Sequence, residues 1–201
     1  MRIGIDFDNT IACYTNAIES AVDNFFTLPD NLPRSKIELR DYLRATNRER
    51  EWTEFQGFLY GPGMIYAKPF DNAILTMLEL QARGHELFII SHRSRYPYAG
   101  PRHDLHEAAS TWIAKHLSVA NIFANNSSIN FLETKEQKLA KISELECAVF
   151  LDDLVDIIES KIFPRSTSGI LFDPQSKFKP QTKNYPSISD WPELLKYISQ
   201  E

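Results

Sequence analysis

Two carboxylates stand two residues apart near the start of the chain, in Asp6-Phe7-Asp8-Asn9-Thr10, directly after the alternating apolar residues Ile3 and Ile5. On an extended strand that spacing puts both side chains on one face. A second acidic group, Asp152-Asp153 with Asp156, closes the apolar run Ala148 to Leu151. Both groups sit where a strand gives way to a loop, and open α/β sheets hold their ligands at the carboxyl ends of strands. If the two strands are neighbours, up to five carboxylates converge on one crevice. Like charges that close repel and raise one another's pKa values. A divalent cation resolves the repulsion. Hard oxygen donors in this number suit Mg²⁺, which keeps some of its waters and takes only a few carboxylates.

Other residues add to this set or stand apart from it. Ser91 closes the apolar run Leu87 to Ile90, and His92 and Arg93 follow it. These two are candidates to line a substrate site, although ordinary surface-loop positions would account for them equally. His103 and His106 are three apart, a weak metal spacing that a surface helix also explains. Cys13 reads as a small buried residue. Lys36, Arg40, Arg44 and Arg48 recur every fourth residue. That stripe suits a solvated face with Glu38, Asp41 and Glu49 as partners. Turned toward the carboxylates, it would instead attract an anionic leaving group. Trp52, Phe55, Phe58 and Tyr60 form either a local core or a stacking wall for a base or sugar. No Gly-x-Gly-x-x-Gly and no Gly-Lys-Ser/Thr sequence is present, which removes the usual dinucleotide enzymes and nucleotide-dependent kinases.

The elements that must position these residues alternate. Strands are expected over Ile3 to Phe7, Leu87 to Ser91, Ala148 to Leu151 and Gly169 to Phe172, with a weaker one around Asn121 to Ala124. Short apolar runs of this kind fit parallel strands buried on both faces. Helices are expected from Asn72 to Arg83, stopped by Gly84, and from Asp104 to Leu117. A third opens at Thr134, where Gln137 completes a capping box. On it Leu139, Ile142 and Leu145 define a buried face that also takes in Lys135 and Lys138, with Lys141 at its edge. A lysine on a buried face is unusual unless it meets an anion. The alternation predicts an α/β layer fold with a mostly parallel sheet.

One stretch departs from the alternation. Helices are expected from Thr15 to Phe26, from Ser35 (a capping box with Glu38) to Ala45, and from Arg48 to Tyr60. Gly61-Pro62-Gly63 then makes a hinge-like linker. The division expected is an α/β core of residues 1–13 and 68–201, with a helical insertion of residues 14–67.

The apolar run into Asp6-x-Asp8-x-Thr10 resembles the first motif of the haloacid dehalogenase (HAD) superfamily. The strand ending in Ser91 resembles the second motif and Val149 to Asp153 with Asp156 the fourth. A lysine of the intervening helix stands for the third. The resemblance spans residues 3 to 156, in family order. It implies a three-layer Rossmann-like core with a small all-helical cap, and a phosphatase that hydrolyses a small phosphomonoester of the nucleotide or sugar phosphate class. It further implies Asp6 as nucleophile, Asp8 as general acid and base, and Ser91 with Lys135 or Lys138 as phosphate donors. Thr10, Ser91, His92 and Arg93 are the substrate-binding candidates. Mg²⁺ would be held by Asp6, the Asp8 carbonyl and Asp152, supported by Asp153 and Asp156. A phosphotransferase or mutase of the same superfamily, or a silent HAD-fold binding protein, are the alternatives.

Composition fits this frame. The 201 residues are 43% hydrophobic and 24% charged, an ordinary globular balance. With 22 basic and 27 acidic side chains the net charge is -5, which argues against general nucleic-acid binding. A small phosphorylated metabolite is the partner expected. Asp6 interrupts any signal-like apolar run, and no run approaches membrane-spanning length. Two distant cysteines make no disulfide framework, so a cytoplasmic setting is expected.

Overall fold

The computed structural model describes residues 1–117, 122–123, 128–178 and 185–199. The chain runs β1 (Arg2–Ile5), β2 (Ala12–Cys13), α1 (Thr15–Phe25), α2 (Lys36–Ala45), α3 (Glu49–Tyr60), a 3-10 turn (Pro62–Tyr66), β3 (Lys68–Pro69) and α4 (Ala73–Ala82). It continues through β4 (Glu86–His92), α5 (Leu105–His116), β5 (Ile129–Leu132), α6 (Lys135–Glu144), β6 (Val149–Asp152), α7 (Val155–Ile158), β7 (Ser168–Phe172), β8 (Ser187–Ile188) and α8 (Trp191–Ile198). None of the described helices is long and apolar enough to cross a membrane.

Two compact units result. One comprises Met1–Ala12, Pro69–Arg93 and His116–Glu201; the other comprises Cys13–Lys68 and Ser94–Lys115. The expected insertion falls in the second unit, which also takes in Ser94–Lys115, a segment the sequence reading gave to the core. Amphipathic spacing shows that α5 buries a face but does not show against what. The answer lies in Trp112, whose indole N–H donates to the Ala67 carbonyl at 2.9 Å.

The first unit is built on a six-stranded sheet of order β5-β4-β1-β6-β7-β8, parallel at every pairing. Chain direction across the sheet reverses between β1 and β6, because the strands before β6 build outward on one side and those after it on the other. Such a switch point leaves a crevice at the carboxyl ends of the two strands. Ile3, Ile5, Ile89, Val149 and Leu151 are fully buried, as both-face coverage by helices requires. Gly4 is forced by close packing: a Cβ there would stand 2.6 Å from the Phe150 ring. The α6 residues Leu139 and Ile142 share a cluster with Ile90, Phe150, Ile157 and Ile158. Helices α4 and α8 pack against one another. Gly84, at φ +84°, ends α4. The Gly84 and His85 amides close back on the carbonyls of Gln81 and Leu80, which satisfies two otherwise orphaned acceptors. The weaker strand expected around Asn121 to Ala124 is not seen: Ile122 and Phe123 lie in a turn, the ends lie outside the described residues, and the edge strand is β5 at Ile129–Leu132.

The second unit has an aromatic core. Trp52 and Phe55 are buried, and Phe55 meets Phe25 and Phe26 edge-on at 5.0 Å centroid separation. Tyr60 meets Tyr14 edge-on, also at 5.0 Å. Trp52 and Phe55 therefore belong to the unit's own core, the first of the two readings, with Phe58 and Tyr60 half-buried. The basic stripe is engaged locally: Arg40 with Asp41, Arg44 with Glu49 and Arg48 with Glu51, while Lys36 lies over the Tyr60 ring. Ser35 is the residue before α2, but its hydroxyl makes no capping bond, so the expected box with Glu38 does not form. His103 precedes α5 rather than lying on it, which removes the helical pairing with His106. Cys13 is only partly buried, with Sγ 3.4 Å from the Thr15 hydroxyl.

The expected box at Thr134 does form: its hydroxyl accepts from the Gln137 amide, and the Gln137 side chain accepts from the Thr134 amide. This cap fixes where α6 begins and so the rotation of every later side chain on it. Thr134→Ala is expected to lower stability by about 1 kcal/mol. Thermal unfolding measures the loss.

Candidate active site

Asp6 stands one residue beyond β1, and its amide donates to the Leu151 carbonyl at 2.9 Å, which ties it to the end of β6. Beyond it the chain folds into a tight turn. The Ile11 and Ala12 amides both reach the Phe7 carbonyl, and Asn9 takes a left-handed φ of 60°. Asparagine tolerates that region better than most residues. Trp191 of α8, fully buried, donates its indole N–H to the Thr10 carbonyl at 3.2 Å. Spacing alone does not assign the C-terminal region to this turn's support. The available signal was the capped segment Asp190 to Glu193 with apolar Leu194 and Ile198 beyond it.

Lys138 is the hub of the site. It is among the largest fully buried side chains, and its Nζ lies 2.6 Å from both Asp6 Oδ1 and Asp152 Oδ2. The other Asp152 oxygen accepts from the Leu154 amide at 2.9 Å. Burial works against the ammonium, but Asp152 and Asp6 outweigh it and hold its pKa above the ordinary value. Asp6 is pushed up to about 7, first by burial, with Asp152 and Asp8 adding and Lys138 opposing. A single ammonium neutralises one of two buried carboxylates, and the remaining negative charge calls for a proton or a cation.

Oxygens of Asp6, Asp152 and Asp153 lie within 4.8 Å of one another. This all-oxygen donor set, carrying excess negative charge, fits a hard divalent cation such as Mg²⁺. Asp156, expected with them, is elsewhere. Ile157 and Ile158 are the buried residues of α7, so Asp156 turns outward, 81% exposed, and faces Lys135 at 3.5 Å. The sequence left Lys135 and Lys138 open; the structure places Lys138 on the carboxylates and Lys135 on the surface.

Ser91 and Thr10 are buried, and neither hydroxyl has a partner among the described residues. A buried hydroxyl without a partner is costly. His92 follows Ser91 with Nε2 3.1 Å from the Glu133 carbonyl. Burial lowers its pKa, and that hydrogen bond opposes the shift. Arg93 is the larger surprise: it is buried, with Nη1 2.5 and 2.7 Å from the two Asp8 oxygens.

No family model matches the sequence, and no curated protein is similar to it in sequence. Solved structures are similar in fold. A HAD phosphatase from Thermococcus onnurineus aligns with a TM-score of 0.63 and 16% identity, over 100% of this chain and 98% of the other. The HAD-hydrolase YfnB from Bacillus subtilis, solved bound to magnesium, aligns at 0.62 and 12% identity, over 98% and 97%. A 2-haloacid dehalogenase from Pseudomonas syringae pv. Tomato DC3000 aligns at 0.52 and 15% identity, over 99% and 98%. The chain therefore has the HAD fold, with the parallel sheet and helical layers that the sequence resemblance implied. One fold shared by a phosphatase and a dehalogenase leaves the chemistry to be argued from the site.

Proposed function

We propose that this chain is a Mg²⁺-dependent phosphatase acting on a small phosphomonoester of the nucleotide or sugar phosphate class, through an aspartyl-phosphate intermediate. One observation carries the reading. A buried lysine joins Asp6 to Asp152 at 2.6 Å, and Ser91, on the strand next to β1, keeps an unpartnered hydroxyl. In this reading an Asp6 oxygen attacks phosphorus as the ester oxygen leaves. Asp8 gives that oxygen a proton, then takes one from the water that hydrolyses the aspartyl-phosphate and frees Asp6. Ser91 and Lys138 donate to the phosphoryl oxygens as charge shifts onto them. Asp6, Asp152 and Asp153 would hold Mg²⁺, which when bound would offset the carboxylate charge and polarise the phosphoryl group. Dehalogenation fits the site less well, because halide displacement needs neither an acid at Asp8 nor a cluster of metal-holding carboxylates.

Hydrolysis of p-nitrophenyl phosphate tests the reading. Turnover is expected with Mg²⁺ and not with EDTA. Absence of turnover with Mg²⁺, Mn²⁺ and Co²⁺ at every pH assayed would favour a silent binding protein instead.

A further inference from the structure

Arg93 lies one residue past β4, and its amide donates to the Leu132 carbonyl at 2.8 Å, so its backbone is still fixed to the sheet. Its guanidinium sits over the Phe7 ring, 5.7 Å from the centroid. The side chain is 3% exposed against 17% for Asp8. One nitrogen, Nη1, reaches both Asp8 oxygens, at 2.5 and 2.7 Å. That arrangement fixes the position of the carboxylate and the direction it faces. Asp8 itself lies on a tight turn, where its own backbone leaves the side-chain torsions open.

We propose that Arg93 is a positioning residue, which holds the Asp8 carboxylate in place for proton transfer and acts through Asp8 rather than on the substrate. The inference rests on the phosphatase reading. It differs from the role of substrate contact considered for Arg93 on sequence grounds. The chemistry explains why such a residue is useful. A general acid must lie within hydrogen-bond reach of the oxygen it protonates, and a misplacement of about 1 Å costs roughly a hundredfold in rate. Asp8 has short reach, so the buried arginine supplies the rigidity that the turn does not.

A double-mutant cycle between Arg93→Ala and Asp8→Asn tests this, with kcat and KM measured for each variant. Arg93→Ala is expected to lower kcat by about 10- to 100-fold and leave KM within about threefold, as loss of a placed acid should. In the Asp8→Asn background the same change is expected to cost less than about twofold, because Arg93 then has nothing to position. Guanidinium chloride is expected to restore part of the activity of Arg93→Ala and none in the double variant. Should Arg93→Ala not fold by circular dichroism, Arg93→Lys carries the test. Lysine loses the planar fork and the contact over the Phe7 ring, so kcat is expected to fall by about tenfold with KM unchanged. A rise in KM at constant kcat, or losses that multiply in the double variant, would overturn the proposal while wild-type turnover upheld the phosphatase reading. A silent wild-type protein would overturn both.

Discussion

Asp6→Asn is expected to abolish phosphatase turnover, with a loss of at least about 10⁴-fold, because an amide cannot attack phosphorus. Near-full activity in this variant would remove Asp6 as the nucleophile. The same substitution has a second expected result that does not depend on catalysis. In the metal-free protein Asp6 is pushed up from 3.8 to about 7, chiefly by burial. The folded chain then keeps a proton that the unfolded chain releases across this window. The contribution to stability is full below about 4 and is lost as pH rises through about 7. Melting temperature in EDTA should therefore fall across that range, and Mg²⁺ should recover more of it at the alkaline end than at the acid end. In Asp6→Asn the excess charge is gone, so this part of the pH slope should disappear. An unchanged slope would place the excess charge on another group.

Lys138→Met is expected to give the second large effect. Methionine fills similar volume and keeps the packing against Phe150, whose ring the lysine overlies at 5.3 Å. What it removes is the only cation shown between Asp6 and Asp152 among the described residues. Breaking a buried ion pair by deleting one partner costs about 3–5 kcal/mol, so the EDTA-treated variant should melt well below the wild type. Loss of a placed donor to the phosphoryl group should lower kcat by about 10²–10³-fold. Mg²⁺ should stabilise the variant more than the wild type, since the metal then becomes the sole counter-charge. Lys135→Ala is the control. Its exposed pair with Asp156 is worth about 0.2–1 kcal/mol at most, and activity should stay within about twofold. Comparable damage from the two lysine changes would contradict the geometry.

The residues on strand ends were legible because their positions follow from period-two geometry and chain order. Asp6, Ser91 and Asp152 each close an apolar run, and the sheet order β4-β1-β6 places those ends side by side. The lysine was half legible. Apolar spacing put Lys135 and Lys138 on one face, and only the capped start of α6 decides which of them points inward. Asp156 misled because four residues of α7 are too few to show a face in sequence. Arg93 was illegible for a different reason. A charged residue after a strand is normally solvated, and its burial arises from Asp8, 85 residues away. The grouping of Ser94–Lys115 with the second unit was hidden likewise, because helical spacing does not say which partner a buried face meets, and Trp112 bonds to Ala67 of that unit.

β1 precedes every other strand of its sheet in the chain, yet it becomes an inner strand. During synthesis it must wait for β4 on one side and for β6 on the other. The bonds that finish the site span 85 residues for Arg93 to Asp8, 132 for Lys138 to Asp6 and 181 for Trp191 to Thr10. Loops that long close late and slowly. A ribosome-bound fragment thus carries Asp6 and Asp8 long before any partner exists to bury them. The proposed site can therefore be complete only once Trp191 has joined the fold beside Thr10.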